Sequence, residues 1–252
     1  MVAEEDTIGK ATRLLGLLGT APDGATLSQL ARGSGFPLSS THRLLASLRR
    51  DGFVTLDASS KRYGLGLRLF QLGAAVAAAR GFSGAALPVL RELADATGEA
   101  CLMSVLDDGA PLTVHHVEGR QAVGVRAVAG GREPLHSTAT GKVLLAFAPA
   151  AVRRDLLEHA ELAPSTPRTI TDRTAFREEI AAVGAQGFAV SDEEHRSGIR
   201  SIGVPVPGTL GHAVAAVAVS SPAYRTTVTA AVRHLPVLRH AAEQLAVLLP
   251  HR

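Results

Sequence analysis

The stretch from residue 25 to residue 66 restricts the possible folds of this chain more than any other part of it. Thr26 and Gln29 have the spacing of a capping box, in which two side chains bond reciprocally to the backbone at a helix start. Gly33 and Gly35 allow the sharp turn that ends such a helix. The first part of the stretch therefore predicts a short helix followed directly by a tight turn.

A further helix and a hairpin are predicted after the turn. Pro37 suits a helix start because proline has no backbone N–H to donate, and Ser39 or Ser40 is the predicted N-cap. Apolar residues at intervals of three and four predict the buried face of this helix: Leu44, Leu45 and Leu48. Residues 53–56 and 62–65 predict two strands around a polar turn. An upstream apolar stripe predicts a first helix that closes the small domain: Ile8, Ala11, Leu14, Leu15 and Leu18. Three helices followed by a β-hairpin, with a tight turn between the second and third helices, predict a winged helix-turn-helix domain over residues 1–66.

The polar face of the predicted third helix is typical of a segment that enters the major groove of DNA. Short hydroxyl side chains and histidine reach base edges and phosphates, and a helix N-terminus attracts phosphate. From Arg32 to Arg68 seven basic residues face two acidic ones, a local balance of +5 in a chain of net charge +3. The predicted DNA-binding residues are Ser39, Ser40, Thr41, His42, Arg43, Arg49, Arg50, Lys61 and Arg62. A helical bundle with a solvated basic face, or a winged helix that binds protein partners, remains the alternative.

Composition limits the class of protein further. The chain has 252 residues, 46% of them apolar, which is enough for one large domain or two modest ones. Cys101 is the only cysteine, so an intrachain disulfide is impossible, and a buried structural thiol is expected in its probable strand. The acidic start lacks the pattern of a signal peptide, and no run of about 18 apolar residues predicts a membrane span. These features predict a cytoplasmic protein that does not contact a membrane.

After the predicted wing, residues 67–81 are alanine-rich and apolar at helical spacing. This segment predicts a linker helix that bridges two domains or pairs with a second chain. Residues 82–252 mix both kinds of secondary structure, with antiparallel strands and long helices on one face, so the fold class is α+β. The predicted strands cover residues 100–106, 112–117, 123–128, 188–191, 201–206 and 212–220. The last predicted helix runs from residue 228 to 248 with a kink at Pro236.

No pattern in the second half indicates catalysis or a metal. His115 and His116 are neighbours in a predicted strand and point to opposite faces, so they do not suit one metal ion. Thr140-Gly141-Lys142 resembles the end of a phosphate-binding loop, but His136 and Val143 stand where that loop needs glycine and a hydroxyl residue. We therefore predict no catalytic residue, no metal ligand and no cofactor.

Two segments are candidates for a small-molecule site. In residues 135–146, short polar residues lead into a helix whose first N–H groups, near Ala139, Thr140 and Gly141, would attract a carboxylate; a plain capped helix is the alternative. Residues 190–203 form either a solvated acidic loop or a lid that pivots at Gly198. Serine hydroxyls at strand ends could join this site, at Ser201, Ser220 and Ser221. Aliphatic residues are expected to line it: Leu102, Val105, Val125, Leu135 and Val204.

Four stretches together resemble the IclR family of bacterial transcription regulators. They are LSQLARGSGFPLSSTHRLLASLRRDGFV, KRYGLGLRLFQLG, LHSTATGKVLLA, and SDEEHRSGIRSIGVPV with VAAVAVSSP. The resemblance implies a non-catalytic regulator that binds a palindromic operator as a homodimer or dimer of dimers. It also implies a C-terminal, GAF-like domain, residues 82–252, that binds a small organic or aromatic carboxylate.

In matching positions, the resemblance implies that the effector carboxylate meets the backbone N–H groups of Ala139 and Thr140. The family's acidic pocket residue is replaced by Ser191, unless Asp192 takes its place, and Ala218 stands at a position that can be serine. The predicted effector-binding residues are His136, Ala139, Thr140, Gly141, Ser191, Asp192, Ser201 and Ser220. The predicted function is a ligand-responsive regulator, a repressor in preference to an activator, in which the linker helix transmits effector binding to the DNA-binding domain. An enzyme acting on a small acid or ester in the same pocket is the alternative.

Overall fold

The computed structural model describes residues 6–82, 84 and 86–250. These residues divide into two compact units, of which the first ends at Ala79 and the second begins at Arg80. The helices and strands of the first unit are α1 (Thr7–Gly19), β1 (Ala25–Thr26), α2 (Leu27–Ser34), α3 (Leu38–Arg50), β2 (Val54–Leu56), β3 (Arg62–Leu65) and α4 (Leu67–Ala79).

The first unit is a winged helix-turn-helix built on a small apolar core. Side chains from α1, α2, α3 and the hairpin meet in this core: Leu14, Leu18, Leu30, Leu45, Val54 and Tyr63. The capping box between Thr26 and Gln29 is present, and Gly35 ends α2 in the left-handed conformation, as predicted. Ile8, the first residue of the predicted apolar stripe, does not join this core, since it is 73% exposed.

Two local features of the first unit differ from the predictions. Pro37, and not Ser39 or Ser40, is the N-cap of α3, and no side chain caps that helix start. The wing has a third strand, β1, which pairs antiparallel with β3 through Ala25–Tyr63 and Thr26–Arg62. A two-residue strand exists only through its partner, so no local pattern predicts it.

Helix α4 covers most of the predicted linker, 67–81. All of its residues are at least partly exposed, including large apolar side chains at Leu67, Phe70, Leu72 and Val76. An unburied apolar helix of this kind is typical of a surface that another chain or domain covers.

The second unit contains one antiparallel five-stranded sheet with the order β5-β4-β8-β7-β6. Its helices and strands are α5 (Ala86–Thr97), β4 (Ala100–Asp107), β5 (Ala110–Val117), α6 (Ala139–Ala146), α7 (Ala150–His159), α8 (Arg173–Gln186), β6 (Ala189–Asp192), β7 (Ile199–Pro207), β8 (Ala213–Pro222), α9 (Val228–Val232) and α10 (Leu235–Leu248).

Helices cover both faces of this sheet, and not one face as predicted. Helices α5 and α10 pack on the face that carries Cys101, Ile202 and Val217. On the other face, α6 and α8 enclose a second apolar cluster around Phe176. The two faces follow from the alternation of side chains along each strand.

Two further predictions for the second unit were wrong. Residues 123–128 form no strand; they lie in an irregular segment before α6. The predicted C-terminal helix is two helices, because Pro236 occupies the first turn of α10, where its missing N–H costs no hydrogen bond. Among the helices described, none is long and apolar enough to cross a bilayer.

Candidate functional site

The start of α3 presents a polar, uncapped helix terminus on the surface of the first unit. Ser39, His42 and Arg43 are exposed and Ser40 is half-exposed. The first N–H groups of any helix lack partners within the helix, and here no side chain occupies them. The N–H groups of this terminus can therefore donate hydrogen bonds to a phosphate oxygen, while the side chains beside them reach base edges.

Thr41 was wrongly included among the DNA-contacting residues. Its side chain is fully buried, and its hydroxyl donates a hydrogen bond to the Pro37 carbonyl at 3.1 Å. The helical period turns position 41 toward Leu45 and the core, so this threonine stabilises the start of α3.

The basic residues at the far end of α3 and in the wing divide into free and engaged groups. Arg49 and Lys61 are exposed, whereas Arg50 contacts Ser47 at 3.0 Å and Asp51 at 3.2 Å. Arg62 donates a hydrogen bond to the Gly24 carbonyl at 2.7 Å. The guanidinium of Arg62 thus holds the wing against the preceding turn, while its other N–H groups leave its DNA contact a prediction.

The turn at the tip of the wing is held by Asp57. Its carboxylate accepts hydrogen bonds from the backbone N–H of Ser59 at 2.7 Å and of Ser60 at 3.3 Å. These hydrogen bonds and that of the Ser59 hydroxyl lower the pKa of Asp57 to about 2. The tip keeps its shape and its negative charge at neutral pH, with Lys61 beside it in the left-handed conformation.

A cavity in the second unit has a row of three serines in its wall. Ser191, Ser201 and Ser220 stand opposite one another on β6, β7 and β8, so their side chains share one face of the sheet. The Ser201 and Ser220 hydroxyl oxygens are 2.7 Å apart, and the Ser191 hydroxyl donates to the Ser137 carbonyl at 2.7 Å. The empty space between these walls, counted together with its opening to solvent, is about 560 Å³.

Helix α6 begins at this cavity. Ala139 and Thr140 line it, and as the first two residues of the helix they have N–H groups without partners inside the helix. Gly141 was wrongly predicted to contact a ligand, because the Thr138 hydroxyl accepts its N–H at 3.1 Å and closes that position. The helix start therefore offers two backbone donors, which can bind an anion.

Two other predicted effector contacts lie away from the cavity. His136 is 2% exposed; its Nε2 is 3.0 Å from the Ala163 carbonyl, and burial lowers its pKa. Asp192 points away from the serine row and forms ion pairs with Arg168, at 2.6 Å, and with Arg200. His136 and Asp192 therefore stabilise the fold around the site. Asp192 does not replace the acidic pocket residue of the family, and Ser191 is the residue at that position.

The apolar wall is only partly as predicted. Leu102, Val125 and Ala218 line the cavity, whereas Val105 and Val204 belong to the core under α5 and α10, and Leu135 to the core under α6. Strand alternation explains the difference, because only one face of each strand can reach the cavity.

Charged residues that were not among the predicted effector contacts also line the cavity, although two of them, His195 and Arg196, lie in the segment predicted as a possible lid. His195 Nε2 lies 2.9 Å from Glu133 Oε2, and the adjacent imidazole holds the pKa of the Glu133 carboxyl below its ordinary value. Arg126 and Arg196 also line the cavity. Glu133 precedes the helix motif in an irregular segment that carries no periodicity, and only the fold brings it to His195.

One buried cation fastens the walls of the cavity together. Lys142 on α6 is 1% exposed, and its Nζ lies 2.8 Å from Glu179, 2.8 Å from Glu194 and 2.9 Å from the Val190 carbonyl. Burial raises the pKa of Glu194 despite the ammonium beside it. Because Glu194 directly precedes His195, this cluster fixes the loop after β6 against the helix that starts at the cavity.

The cavity contains no activated cysteine. Burial raises the pKa of the Cys101 thiol to about 12, and its side chain lies in the core under α5, as predicted for a structural thiol. Within residues 6–82, 84 and 86–250, no three histidine, cysteine or acidic side chains are grouped so as to hold a metal ion.

Comparison with known protein families gives a matching domain for each of the two units. The domain described as Bacterial transcriptional regulator IclR C-terminal matches residues 75–247, and the IclR helix-turn-helix domain matches residues 7–58. The chain belongs to the IclR family. Its winged helix-turn-helix and its C-terminal effector domain with an antiparallel sheet are those of an IclR-family DNA-binding transcription regulator, as the four motifs predicted.

Individual IclR-family proteins show the extent of the similarity. The glycerol operon regulatory protein of Streptomyces griseus is 35% identical over 229 residues, which cover 89% of this chain and 88% of that protein. A putative IclR regulator from Silicibacter sp. TM1040 has a structure with TM-score 0.81 and 31% identity, covering 96% and 95% of the two chains. An IclR homologue from Microbacterium hydrocarbonoxydans, complexed with 4-hydroxybenzoate, has the same fold with TM-score 0.82 and 24% identity, covering 97% and 99%.

Proposed function

We propose that this chain is a non-catalytic repressor whose operator affinity changes when a small carboxylate binds in the cavity at the start of α6. The observation that carries the proposal is the pairing of two backbone donors without helical partners, at Ala139 and Thr140, with the serine row. Such donors bind anions without a metal or a lysine. Leu102, Val125 and Ala218 would receive the apolar part of the ligand.

The regulator would act as a homodimer or a dimer of dimers on a palindromic operator. We assign the exposed apolar surface of α4 to the contacts that would transmit effector binding to the DNA-binding domain. An effector that binds one arrangement of the dimer more tightly shifts the population toward it. A coupling free energy of about 1–3 kcal/mol would change operator affinity by roughly 5- to 150-fold.

The direct test combines ligand binding with DNA binding. Thermal unfolding of the full chain is measured against a panel of aliphatic and aromatic carboxylates that includes 4-hydroxybenzoate. Each acid that raises the unfolding temperature is then titrated into the complex with DNA from upstream of the protein's own gene. A stabilising acid that changes DNA affinity supports the proposal; failure to bind any duplex at low salt would refute it.

Arg43→Ala should weaken operator binding by about tenfold while leaving effector affinity unchanged. Arg43 is exposed near the start of α3, and loss of one base or phosphate contact costs about 1–3 kcal/mol. Fluorescence anisotropy on the operator and calorimetry with the effector measure the two affinities. Arg154→Ala, an exposed arginine of α7, is the control for net charge. Equal losses of DNA and effector affinity in Arg43→Ala would contradict the assignment.

Ala139→Pro should reduce carboxylate affinity by about tenfold or more without weakening DNA binding in the absence of effector. Proline removes one of the two N–H donors but is tolerated at the first position of a helix. Thr138 already has the extended backbone that a following proline requires. Ala150→Pro, the same change at the first position of α7, is the matched control. Unchanged carboxylate affinity in a folded Ala139→Pro variant would place the carboxylate elsewhere.

A further inference from the structure

Two neighbouring histidines of β5, which suit no metal ion and line no part of the cavity, each hold a different segment of the second unit. His115 Nε2 lies 2.7 Å from the Phe82 carbonyl oxygen, and His116 Nε2 lies 3.3 Å from the Val125 carbonyl oxygen. A carbonyl oxygen can only accept, so each Nε2 carries the proton and donates it. The pair therefore joins, through one strand, two segments that are far apart in the sequence.

Strand register places the two histidines on opposite faces of the sheet. His116 stands opposite Leu102, which lines the cavity, whereas His115 stands opposite Met103, which belongs to the core under α5 and α10. Phe82 packs against that same core. One histidine is therefore directed to the cavity face, and the other to the face that holds Phe82.

The segment that His116 holds is part of the cavity wall. Residues 121–129, which we call the cavity segment, have no regular secondary structure. Just outside its two ends, the backbone N–H groups of Arg120 and Gly130 donate to carbonyl oxygens of neighbouring segments at 3.2 Å and 2.7 Å. The residues of the cavity segment that line the cavity are Val125, Arg126 and Ala127.

Two side chains hold the middle of the cavity segment. Arg225 Nη1 donates to the Val123 carbonyl at 2.7 Å, and the same guanidinium is fixed by the buried carboxylate of Glu99 at 2.6 Å. His116 supplies the second bond, to Val125. Because the cavity segment forms part of the wall, a ligand that fills the cavity would displace it, and the displacement would act on His116.

Strand β5 can pass such a displacement on because it is an edge strand. Within the sheet it pairs with β4 alone, and a β-bulge opposite Met103 interrupts that pairing next to His115. An edge strand has one hydrogen-bonded neighbour where a central strand has two, so its end shifts at a lower cost in free energy. Phe82, which His115 holds, lies three residues after Ala79, where α4 ends.

We propose that His115 and His116 are positioning residues that connect the cavity segment to the chain at Phe82, directly after α4. This inference rests on the proposed function and adds the residues through which effector binding would reach α4. A ligand that shifts the cavity segment moves the end of β5 through His116, and His115 transfers the movement to Phe82. Two unconnected hydrogen bonds would stabilise only the segment that each of them touches.

The test observes one end of this connection while the other end is cut, and it uses the full chain without any ligand. A spin label is attached to a single introduced cysteine, either at Val123→Cys, which is exposed in the cavity segment, or at Arg80→Cys, which is exposed near Phe82. Labelling is selective because Cys101, the only native cysteine, is buried and its pKa is raised to about 12. Electron paramagnetic resonance then measures the mobility of each label.

Each histidine substitution should increase mobility at the far end of the connection. His115→Leu should raise the mobile fraction of the label at position 123 by about twofold or more, and His116→Leu should do the same at position 80. His115→Gln and His116→Gln keep an amide donor and should retain most of the wild-type signal. A label at Arg154→Cys, exposed on α7, should keep its mobility in every variant.

Two results would overturn the inference. One is a change in mobility confined to the label beside the substituted histidine, and the other is a change of equal size at Arg154→Cys, which would indicate general loosening. Should a leucine variant unfold at a low temperature, His115→Ala or His116→Ala removes the donor without adding a branched side chain and is measured in the same way. Because no acid is added, failure of every acid to bind would refute the proposed carboxylate site and not this connection.

Discussion

Gly141→Ala is expected to destabilise the second unit by about 3 kcal/mol or more, a large fraction of the stability of a typical domain. A methyl group at this position would lie 2.3 Å from the Leu135 carbonyl oxygen and 2.7 Å from the Thr138 hydroxyl. The first of these atoms is backbone and cannot move without displacing the segment that leads into α6. Glycine is therefore required at position 141 by close approach, and not by its own backbone angles.

Urea unfolding followed by circular dichroism measures this effect. Gly184→Ala is the matched control, because Gly184 lies within α8 with no atom within 4 Å of an added methyl group. That control should leave stability unchanged or raise it by up to about 1 kcal/mol, since alanine is the better helix former. A Gly141→Ala variant as stable as Gly184→Ala would show that the segment from residue 135 to 138 yields easily.

Lys142→Met is expected to cost about 3–5 kcal/mol at neutral pH. The variant removes the cation from a buried cluster and leaves the carboxylate of Glu194, 8% exposed, without its partner. By comparison, Arg177→Met breaks an exposed pair with Glu158 and should cost less than about 1 kcal/mol. Adding Glu194→Gln to Lys142→Met should recover part of the loss, because it removes the unpaired buried charge.

The loss in Lys142→Met should depend on pH. Burial already raises the pKa of Glu194, and removal of the ammonium should raise it further. A carboxyl with a folded-state pKa above its unfolded value binds more protons in the folded state, so stability falls as pH rises through the folded pKa. The difference between wild type and variant should therefore be largest at about pH 8 and smaller at about pH 5. A difference independent of pH would indicate that packing, and not the charge on Glu194, dominates.

The same cluster connects stability to the proposed ligand site. Lys142 joins α6, whose first residues offer the backbone donors, to the loop that carries His195. Conservative changes there should alter effector affinity together with stability, whereas Arg43 on α3 should affect DNA affinity alone. Measuring both quantities for each variant separates damage to the site from damage to the fold.

The sequence predicted the helix-turn-helix because its signals are local. The capping box at Thr26, the glycine after α2 and the leucine spacing of α3 each act within a few residues, and each agrees with the structure. The predictions of individual contact residues were less accurate, because they depend on which side chains are buried. Thr41 is polar like its neighbours Ser40 and His42, but its position on the helix directs its side chain toward the core, where it is buried.

The candidate site was predicted in outline for a similar reason. The motif at residues 135–146 marks a helix start, and the start of α6 does line the cavity. The serine row across β6, β7 and β8 depends on strand register, which joins residues 10 and 19 positions apart in the sequence. The exclusion of His136 and Asp192, and the pairing of Glu133 with His195, likewise depend on which side chain each element turns toward the cavity.

By itself the sequence determined the two kinds of domain, the family, and the positions of most helices and strands, because hydrophobic period, capping and turn chemistry are short-range properties. The tertiary structure alone decided which of the polar residues face solvent, the cavity or a buried partner. Those outcomes depend on contacts between segments far apart in the chain, such as Lys142 with Glu194 and Ser191 with Ser137. The free energy of a polar side chain is set by the partner it meets after packing, and no local pattern names that partner.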